Sequence, residues 1–127
     1  MRGYISITAN ELHDWLKQGS AVLENLYAPT ADFVAENSDL DEEELEFTLS
    51  MLAAQDSLAD ESEKFPLVAA LEVPSALIAS SSEGVITLKE SAAWSSVECV
   101  FLVEDGGEEL TWYATQEVED QLKNWLS

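Results

Sequence analysis

The sequence predicts a single α+β domain, residues 1–127, in which about three helices cover a mainly antiparallel sheet of four or five strands. The chain length of 127 residues suits one domain. Its hydrophobic fraction of 46% is that of a folded globular protein. Segments of period-two alternation and segments of helical spacing follow in the order strand, helix, helix, strands, helix, which is typical of α+β architecture.

A strand and a short helix are predicted at the amino-terminal end. Apolar and polar residues alternate over residues 3–8, as expected for a strand. Thr8 or Asn10 can cap the helix that follows, and Gly19 is a natural stop. One face of this helix is apolar and carries Leu12, Trp15 and Leu16.

The second helix, from about Leu40 to Ala59, has the clearest pattern in the chain. Before it, residues 21–28 are ambiguous between strand and irregular structure, and Thr30 opens a short helical stretch. Asp39 with Glu42 fits a capping box, with Ser38 as an alternative cap. Two rows of apolar residues predict a wide face that packs into the core. The rows are Leu45, Leu49 and Leu52, and Phe47, Met51, Ala54 and Leu58.

Strands are predicted through the middle of the second half. The apolar run Phe65–Val73, with prolines at 66 and 74, indicates a buried strand. Pro74–Gly84 is predicted as a loop and Val85–Leu88 as a short strand. Glu90–Ser95 suits a single helical turn. The β-branched and aromatic run Val97–Val103 is the strongest strand prediction.

A hairpin and a helix complete the chain. Residues 104–107 predict a turn, and Leu110–Tyr113 the returning strand. The last helix is expected from about Thr115 to Leu126. Its buried stripe follows from helical spacing and consists of Val118, Leu122 and Trp125.

The charge of the chain is its most unusual property. There are 26 acidic residues and 5 basic ones, which gives a formal net charge of −21. Such a surface repels nucleic acid and anionic membranes, so we expect neither direct nucleic-acid binding nor membrane binding. The charge serves either solubility alone or recognition of a basic protein or peptide. The sequence leaves the oligomeric state undecided.

Cys99 and the amino-terminal segment bear on localisation. Cys99 is the only cysteine, so an intramolecular disulfide is excluded, and its apolar surroundings predict a buried free thiol. The segment Met1–Ile7 is too short and too polar for a signal peptide. No apolar stretch approaches the roughly 20 residues that span a bilayer. These observations favour a cytoplasmic location.

Two acidic clusters, at residues 39–46 and 104–109, are the candidate cation sites. Consecutive residues on a helix point about 100° apart, so the first cluster is interpreted as a solvated helix start. The second is interpreted as a hairpin turn with a charged tip. Whether the clusters converge is not decided by the sequence. If a divalent cation such as Mg²⁺, Mn²⁺ or Ca²⁺ binds, the least implausible ligands are Asp41, Glu44, Asp105 and Glu108.

The sequence assigns no catalytic, cofactor-binding or metal-ligating residue, and no cofactor. His13 is the only histidine and lies beside Asp14, where adjacent helical residues do not face each other. One His and one Cys cannot form a zinc site of standard type. Trp112 and Tyr113 point to opposite faces of a strand, and we expect both to be packed in the core or at its edge. The alternative is an exposed aromatic in a groove ringed by acid, suited to a basic peptide.

Several stretches together carry a family resemblance. They are Arg2–Thr8, Tyr27–Ala31 leading into Asp41–Phe47, Ala69–Pro74, and Trp112–Val118. With these, the chain resembles a family of small acidic actinobacterial proteins known only as a domain of unknown function. The resemblance implies an uncharacterised intracellular bacterial protein and supplies no activity, cofactor or catalytic residue.

The leading functional hypothesis is a non-enzymatic interaction or regulatory domain with an acidic surface. It rests on the net charge of −21 and on the lack of a recognisable catalytic motif. The alternative is a carboxylate-dependent protein or enzyme that binds a divalent metal. A lesser alternative is a nucleic-acid mimic, in which carboxylates occupy the site of a DNA-binding protein.

Overall fold

The structure, a computed structural model, describes residues 1–126, which form a large antiparallel sheet with helices on both faces. The strands are β1 (Arg2–Ile7), β2 (Ser20–Ala21), β3 (Leu26–Tyr27), β4 (Leu67–Glu72), β5 (Ile78–Ser82), β6 (Val85–Leu88), β7 (Ala92–Ala93), β8 (Val97–Glu104) and β9 (Glu109–Ala114). The helices are α1 (Ala9–Gln18), α2 (Ala31–Glu36), α3 (Glu42–Ala59) and α4 (Thr115–Trp125). The predicted α+β class is confirmed, with four helices in residues 1–126 where about three were expected.

The main sheet has seven strands in the order β5-β6-β3-β1-β4-β8-β9, and each neighbouring pair is antiparallel. Strands β2 and β7 form a separate small pair. The prediction of four or five strands was therefore wrong. The two-residue β3 lies in the segment that the sequence left ambiguous, and β5 lies in the predicted loop Pro74–Gly84.

Strand β5 escaped prediction because it has almost no apolar character. Four of its five residues are exposed, as expected for an edge strand that is polar on both faces. It is held by its ladder with β6, where the Ser80 and Thr87 hydroxyls lie 2.5 Å apart. Glu83 and Gly84 turn the hairpin with φ values of 53° and 80°. Such a strand is defined by its neighbour and its turn rather than by a hydrophobic pattern.

The side chains of the central strands alternate between two core layers. Toward α1 and α4 the sheet directs large aliphatic residues, among them Leu67, Leu71 and Val100. Toward α3 it directs Tyr4 and a set of smaller residues that includes Val68, Ala70, Cys99 and Val103. The sheet is thus the middle layer of a three-layer domain, and the layer facing α3 has the smaller side chains.

The predicted first helix is confirmed, with Thr8 as its cap. The Glu11 backbone N–H donates to Thr8 Oγ1 at 3.1 Å, and the Thr8 N–H donates to Glu11 Oε1 at 3.0 Å. Gly19 ends the helix with φ 83°, a conformation that glycine adopts without strain. The Trp15 indole N–H donates to the Ala92 carbonyl at 2.9 Å and so ties α1 to β7.

Helix α3 differs from its prediction at its start and on its buried face. Its cap is Asp41 paired with Glu44, not Asp39 with Glu42, because the helix begins two residues later than expected. Phe47 and Leu52, both predicted to be core residues, are 62% and 38% exposed. The residues that do face the sheet are mostly small, and they are Leu45, Leu49, Ser50, Ala53, Ala54 and Ser57.

The small residues let α3 approach the sheet closely enough for direct hydrogen bonds. Ser57 Oγ donates to the Leu67 carbonyl at 2.7 Å, and Ser6 Oγ donates to Ser57 Oγ at 3.0 Å. Bulky Phe47 and Leu52 cannot share that interface and lie on the flanks of the helix. Hydrophobic periodicity identified Leu45, Leu49 and Ala54 on this face. It missed Ser50, Ala53 and Ser57, because alanine and serine contribute little to the pattern.

The end of the chain follows the sequence prediction. Strand β9 pairs with β8 and leads directly into α4, whose predicted stripe of Val118, Leu122 and Trp125 is buried. The predicted turn is a short 3₁₀ turn at Asp105–Gly107.

The segment Glu90–Ser95, predicted as one helical turn, instead contains β7, followed by a 3₁₀ turn that begins at Trp94. Within residues 1–126, no helix combines the length and apolar character needed to cross a membrane.

The packing of α4 predicts unequal effects of two matched substitutions. Leu122→Ala should lower the free energy of unfolding by about 2–5 kcal/mol, because it leaves a cavity between α4 and the sheet. Leu126→Ala, at an exposed position just beyond α4, should change it by less than about 0.5 kcal/mol. Urea denaturation of both variants measures the difference. Similar values would contradict the described packing of α4.

Candidate functional site

A groove lies between α3 and the β8–β9 hairpin, on the face of the sheet that α3 covers only in part. Helix α3 packs mainly on β1 and β4, so the same face of β8 and β9 is left partly open beside it. The groove has a volume of about 400 Å³. It is lined by Arg2, Tyr4, Glu43, Glu46, Phe47, Ser50, Met51, Phe101, Glu108 and Leu110. We call it the α3–β9 groove.

The walls of the α3–β9 groove are aromatic and aliphatic. Phe47 projects from α3, and Phe101 and Leu110 project from the sheet. Trp112 lies two residues beyond Leu110 on β9 and directly opposite Phe101, so it shares their face of the sheet. Its side chain is 55% exposed. An exposed tryptophan therefore lies on the same face of the sheet as the groove residues Phe101 and Leu110.

The register of the hairpin brings Phe101 and Trp112 close together. The Val103 backbone N–H donates to the Pro66 carbonyl at 2.9 Å, so the backbone N–H and C=O groups of Val103 point toward β4. Backbone groups alternate sides along a strand, so those of Phe101 also point toward β4 and away from β9. The pair Phe101 and Trp112 is therefore of the non-hydrogen-bonded type. Side chains of such pairs approach more closely than those of hydrogen-bonded pairs.

The charge of the groove is negative. Glu43, Glu46 and Glu108 line it, and Arg2 is the one basic residue among the lining residues. Arg2 already contacts Glu98 through Nη2 and Glu46 through Nη1, the latter at 3.9 Å. One guanidinium is therefore shared by two carboxylates, and the carboxylates of Glu43 and Glu108 remain to attract a cation.

The two acidic clusters converge in part at this groove. Glu43 and Glu46 come from the cluster at 39–46, and Glu108 comes from the cluster at 104–109. The hairpin turn reaches α3 because Gly107, with φ 99°, lacks a side chain. A Cβ there would lie 3.1 Å from Leu58 Cδ1. The sequence could not show this contact, since it depends on the approach of a turn to a helix distant in the chain.

The four candidate metal ligands do not assemble. Asp41 Oδ1 accepts the Glu44 backbone N–H at 2.8 Å, and Glu44 Oε1 accepts the Asp41 N–H at 3.3 Å. Those two carboxylates cap α3, whereas Asp105 and Glu108 lie in the hairpin turn. Across residues 1–126, no group of three or more His, Cys, Asp or Glu side chains is arranged to hold a metal ion.

Tyr4 is a buried aromatic residue that lines the groove, and Cys99 belongs to the same core layer. Burial, with a further contribution from the nearby Glu46 carboxylate, raises the pKa of Tyr4 to about 12. Burial also raises the pKa of the Cys99 thiol. Cys99 is a buried free cysteine, as predicted, and it pairs across the sheet with Ala70, the partner of Tyr4. Both shifts favour the protonated forms of the phenol and the thiol.

His13 lies on α1, away from the groove, and its side chain is 46% exposed. Its Nδ1 lies 3.6 Å from Asp14 Oδ1, although neighbouring helical side chains were expected to point apart. Trp112 and Tyr113 point to opposite faces, as predicted. Tyr113 packs edge-to-face on Trp125 with ring centroids 5.3 Å apart. The expectation that both aromatics are packed was wrong for Trp112, and the alternative of an exposed aromatic beside an acidic groove describes it.

Comparison with known proteins gives a family but no activity. The model of a family of unknown function, DUF6912, matches residues 1–108. The match includes α3 and β8 and stops before β9, so the stretch Trp112–Val118 that contributed to the sequence resemblance lies outside it. Searches of curated proteins and of solved structures found no significant match.

The exposure of Phe47 predicts that this residue is dispensable for folding. Phe47→Ser should change the free energy of unfolding by less than about 0.5 kcal/mol. Leu49→Ala, on the buried face of the same helix, should lower it by about 2–5 kcal/mol. Chemical denaturation followed by circular dichroism tests both. A large loss in Phe47→Ser would show that Phe47 belongs to the core.

The raised pKa of Tyr4 predicts a loss of stability at high pH. The folded-state pKa of about 12 exceeds the ordinary value of 10.0, so the folded state holds this proton more tightly than the unfolded state. This contribution is complete below pH 10 and is lost as the pH rises through about 12. Tyr4→Phe should therefore flatten the decline of unfolding free energy across that interval, as measured by urea denaturation. An unchanged decline would contradict the assignment.

Proposed function

We propose that this chain, which belongs to the DUF6912 family of unknown function, is a non-enzymatic interaction domain that binds a cationic protein segment in the α3–β9 groove. The observation that carries the proposal is a groove that contains the exposed Phe47 and carboxylates from both acidic clusters, with the exposed Trp112 on the adjoining face of β9. The occupant would be a segment of another protein that presents an apolar side chain flanked by Lys or Arg.

The apolar part of the argument concerns the cost of exposure. Leaving Phe47 and Trp112 in water forgoes roughly 25 cal/mol for each Å² of apolar surface that could be buried. Tryptophan and other aromatic side chains are enriched among residues that dominate binding energy in protein interfaces. Exposed aromatics at a concave surface therefore support recognition of an apolar side chain.

The charged part of the argument selects the partner. Glu43 and Glu108 lie on opposite sides of the groove, on α3 and on the hairpin turn. Lys or Arg residues flanking the apolar anchor would approach these carboxylates, and the net charge of −21 would speed their encounter. The same field disfavours nucleic acids and acidic proteins. Complementary charge at the rim thus adds specificity and association rate to the affinity supplied by the aromatics.

The cellular setting is part of the proposal. We place the protein in the cytoplasm, because its reducing conditions keep a single free thiol such as Cys99 reduced. An actinobacterial origin, implied by the sequence resemblance, also stays a prediction. Salt should weaken the complex, because its charged contacts lie at an exposed rim.

A defined peptide tests the proposal. The probe is a blocked synthetic peptide in which lysine alternates with valine and leucine, and its control carries glutamine in place of each lysine. We expect the lysine peptide to bind, more weakly as salt increases, and the glutamine peptide to bind at least about tenfold more weakly. Phe47→Ala and Trp112→Ala should each weaken binding by about tenfold, which is the scale of an interface hot spot. Isothermal titration calorimetry measures the affinities.

Two control variants separate the groove from general attraction. Val22→Ala removes an exposed hydrophobic residue from the β2–β3 loop, and Glu24→Gln removes an exposed charge from the same loop. Neither should alter binding as strongly as Trp112→Ala or Glu108→Gln. Equal effects of Glu24→Gln and Glu108→Gln would show that net charge alone attracts the peptide, and the proposal would fail.

A further inference from the structure

We infer that the cationic segment binds as an added β-strand along the free edge of β9, which extends the seven-stranded sheet by one strand. This inference rests on the proposed function and specifies how the partner is held. In such complexes main-chain hydrogen bonds to an exposed sheet edge supply affinity, and alternate side chains of the added strand supply specificity.

Strand β9 is an edge strand with regular, unoccupied hydrogen-bonding positions. Within residues 1–126 its only neighbour in the sheet is β8. The backbone groups of Val103 point toward β4, so Leu110, which pairs with Val103 on β9, makes no backbone hydrogen bond to β8. The same holds for Trp112, two residues later on β9. The N–H and C=O groups of Leu110 and Trp112 therefore point outward, away from the sheet.

The next outward position shows where the free edge ends. The Ala114 backbone N–H donates to Glu117 Oε1 at 3.0 Å, as expected if it too points away from β8. That bond confirms the alternation independently of Val103. It also means that α4 occupies the edge from Ala114 onward. The available edge is thus centred on Leu110 and Trp112 and can accept a short extended segment.

The outward backbone groups and the α3–β9 groove belong to the same two residues. Leu110 and Trp112 direct their side chains toward the groove face and their backbone groups toward the edge. A strand added to β9 would place every second side chain on the groove face, beside Trp112. An apolar side chain there meets the exposed indole, while the intervening Lys or Arg residues point to the opposite face, where the exposed Glu109 alternates with Leu110 on β9. One bound strand therefore satisfies both features at once.

The opposite edge of the sheet does not offer this combination. Strand β5 has a register irregularity between Ile78 and Ser80, and its exposed residues are an alanine and three serines. Its hydroxyls are partly engaged, as in the pair Ser80 and Thr87. A second copy of the chain is also a poor occupant of β9, because each copy carries a formal net charge of −21. Charge complementarity points to a cationic segment of another protein.

Alternate N-methylation of the probe peptide tests the inference. One peptide carries N-methyl groups on the lysine amides and the other on the valine and leucine amides, so side chains and charge are kept. In an added strand only one of these two sets of amides faces β9. One peptide should therefore lose binding by at least about tenfold, and the other should bind like the parent. Equal affinities, or equal losses, would overturn strand addition.

Amide hydrogen exchange locates the contact. The backbone amides of Leu110 and Trp112 should exchange more slowly with the parent peptide bound, and those of β5 should be unchanged. Unaltered exchange at both residues despite binding would overturn the inference while leaving the groove proposal standing. Failure of the parent peptide to bind at all would refute the proposed function instead. Protection of the same amides by a concentration-dependent dimer, without peptide, would assign the edge to a second copy and overturn the inference.

Discussion

The close approach of α3 to the sheet is the constraint on which the rest of this structure depends. It is set by small side chains at the interface and by the hydrogen bond from Ser57 Oγ to the Leu67 carbonyl. A helix held this near cannot bury large residues on its flanks, so Phe47 is left at the surface. The same position of α3 leaves β8 and β9 partly open. The α3–β9 groove is the space that remains when α3 packs on β1 and β4.

The groove combines negative charge with exposed aromatic side chains. Each property is common on protein surfaces, but the two together support a binding site. An acidic surface alone is sufficiently explained by solubility, and single exposed hydrophobic residues are normal on proteins. Here Phe47 and Trp112 are both large and both more than half exposed. Phe47 lines the groove where two acidic clusters meet, and Trp112 lies on the same face of the sheet as the groove residues Phe101 and Leu110. The sharing of Arg2 between Glu46 and Glu98 gives order to the groove without cancelling its charge.

Local patterns predicted the helices and the strongly apolar strands, because those elements owe their stability to burial of periodic side chains. The Thr8 cap, the Gly19 stop and the α4 stripe are examples. Strand β5 was missed because an exposed serine-rich edge carries no burial pattern. The buried face of α3 was predicted in part. Leu45, Leu49 and Ala54 are buried as expected, whereas Phe47 and Leu52 are exposed, because small residues fill the rest of the interface.

The site was less accessible to sequence reasoning than the fold. An exposed aromatic was one of two interpretations of the adjacent pair Trp112 and Tyr113. The sequence did not connect Phe47, Phe101 or Arg2 with that pair. Their proximity depends on the register of β8 with β9 and on the packing of Gly107 against Leu58. Local sequence spacing does not predict either feature. The packing of Gly107 against Leu58 joins residues that are remote along the chain, and the register is set only by how the two strands pair.

The hydrogen bond between Glu117 and the Ala114 amide has a mechanical consequence. Strand β9 enters α4 without a loop, and this carboxylate fastens the last outward amide of the strand to the first turn of the helix. Strand and helix thus form one stiff joint that passes from the edge of the sheet to its opposite face. Tyr113 of β9 packs on Trp125 of α4, so a displacement of β9 would be passed to α4 and to the core layer that it shares with α1.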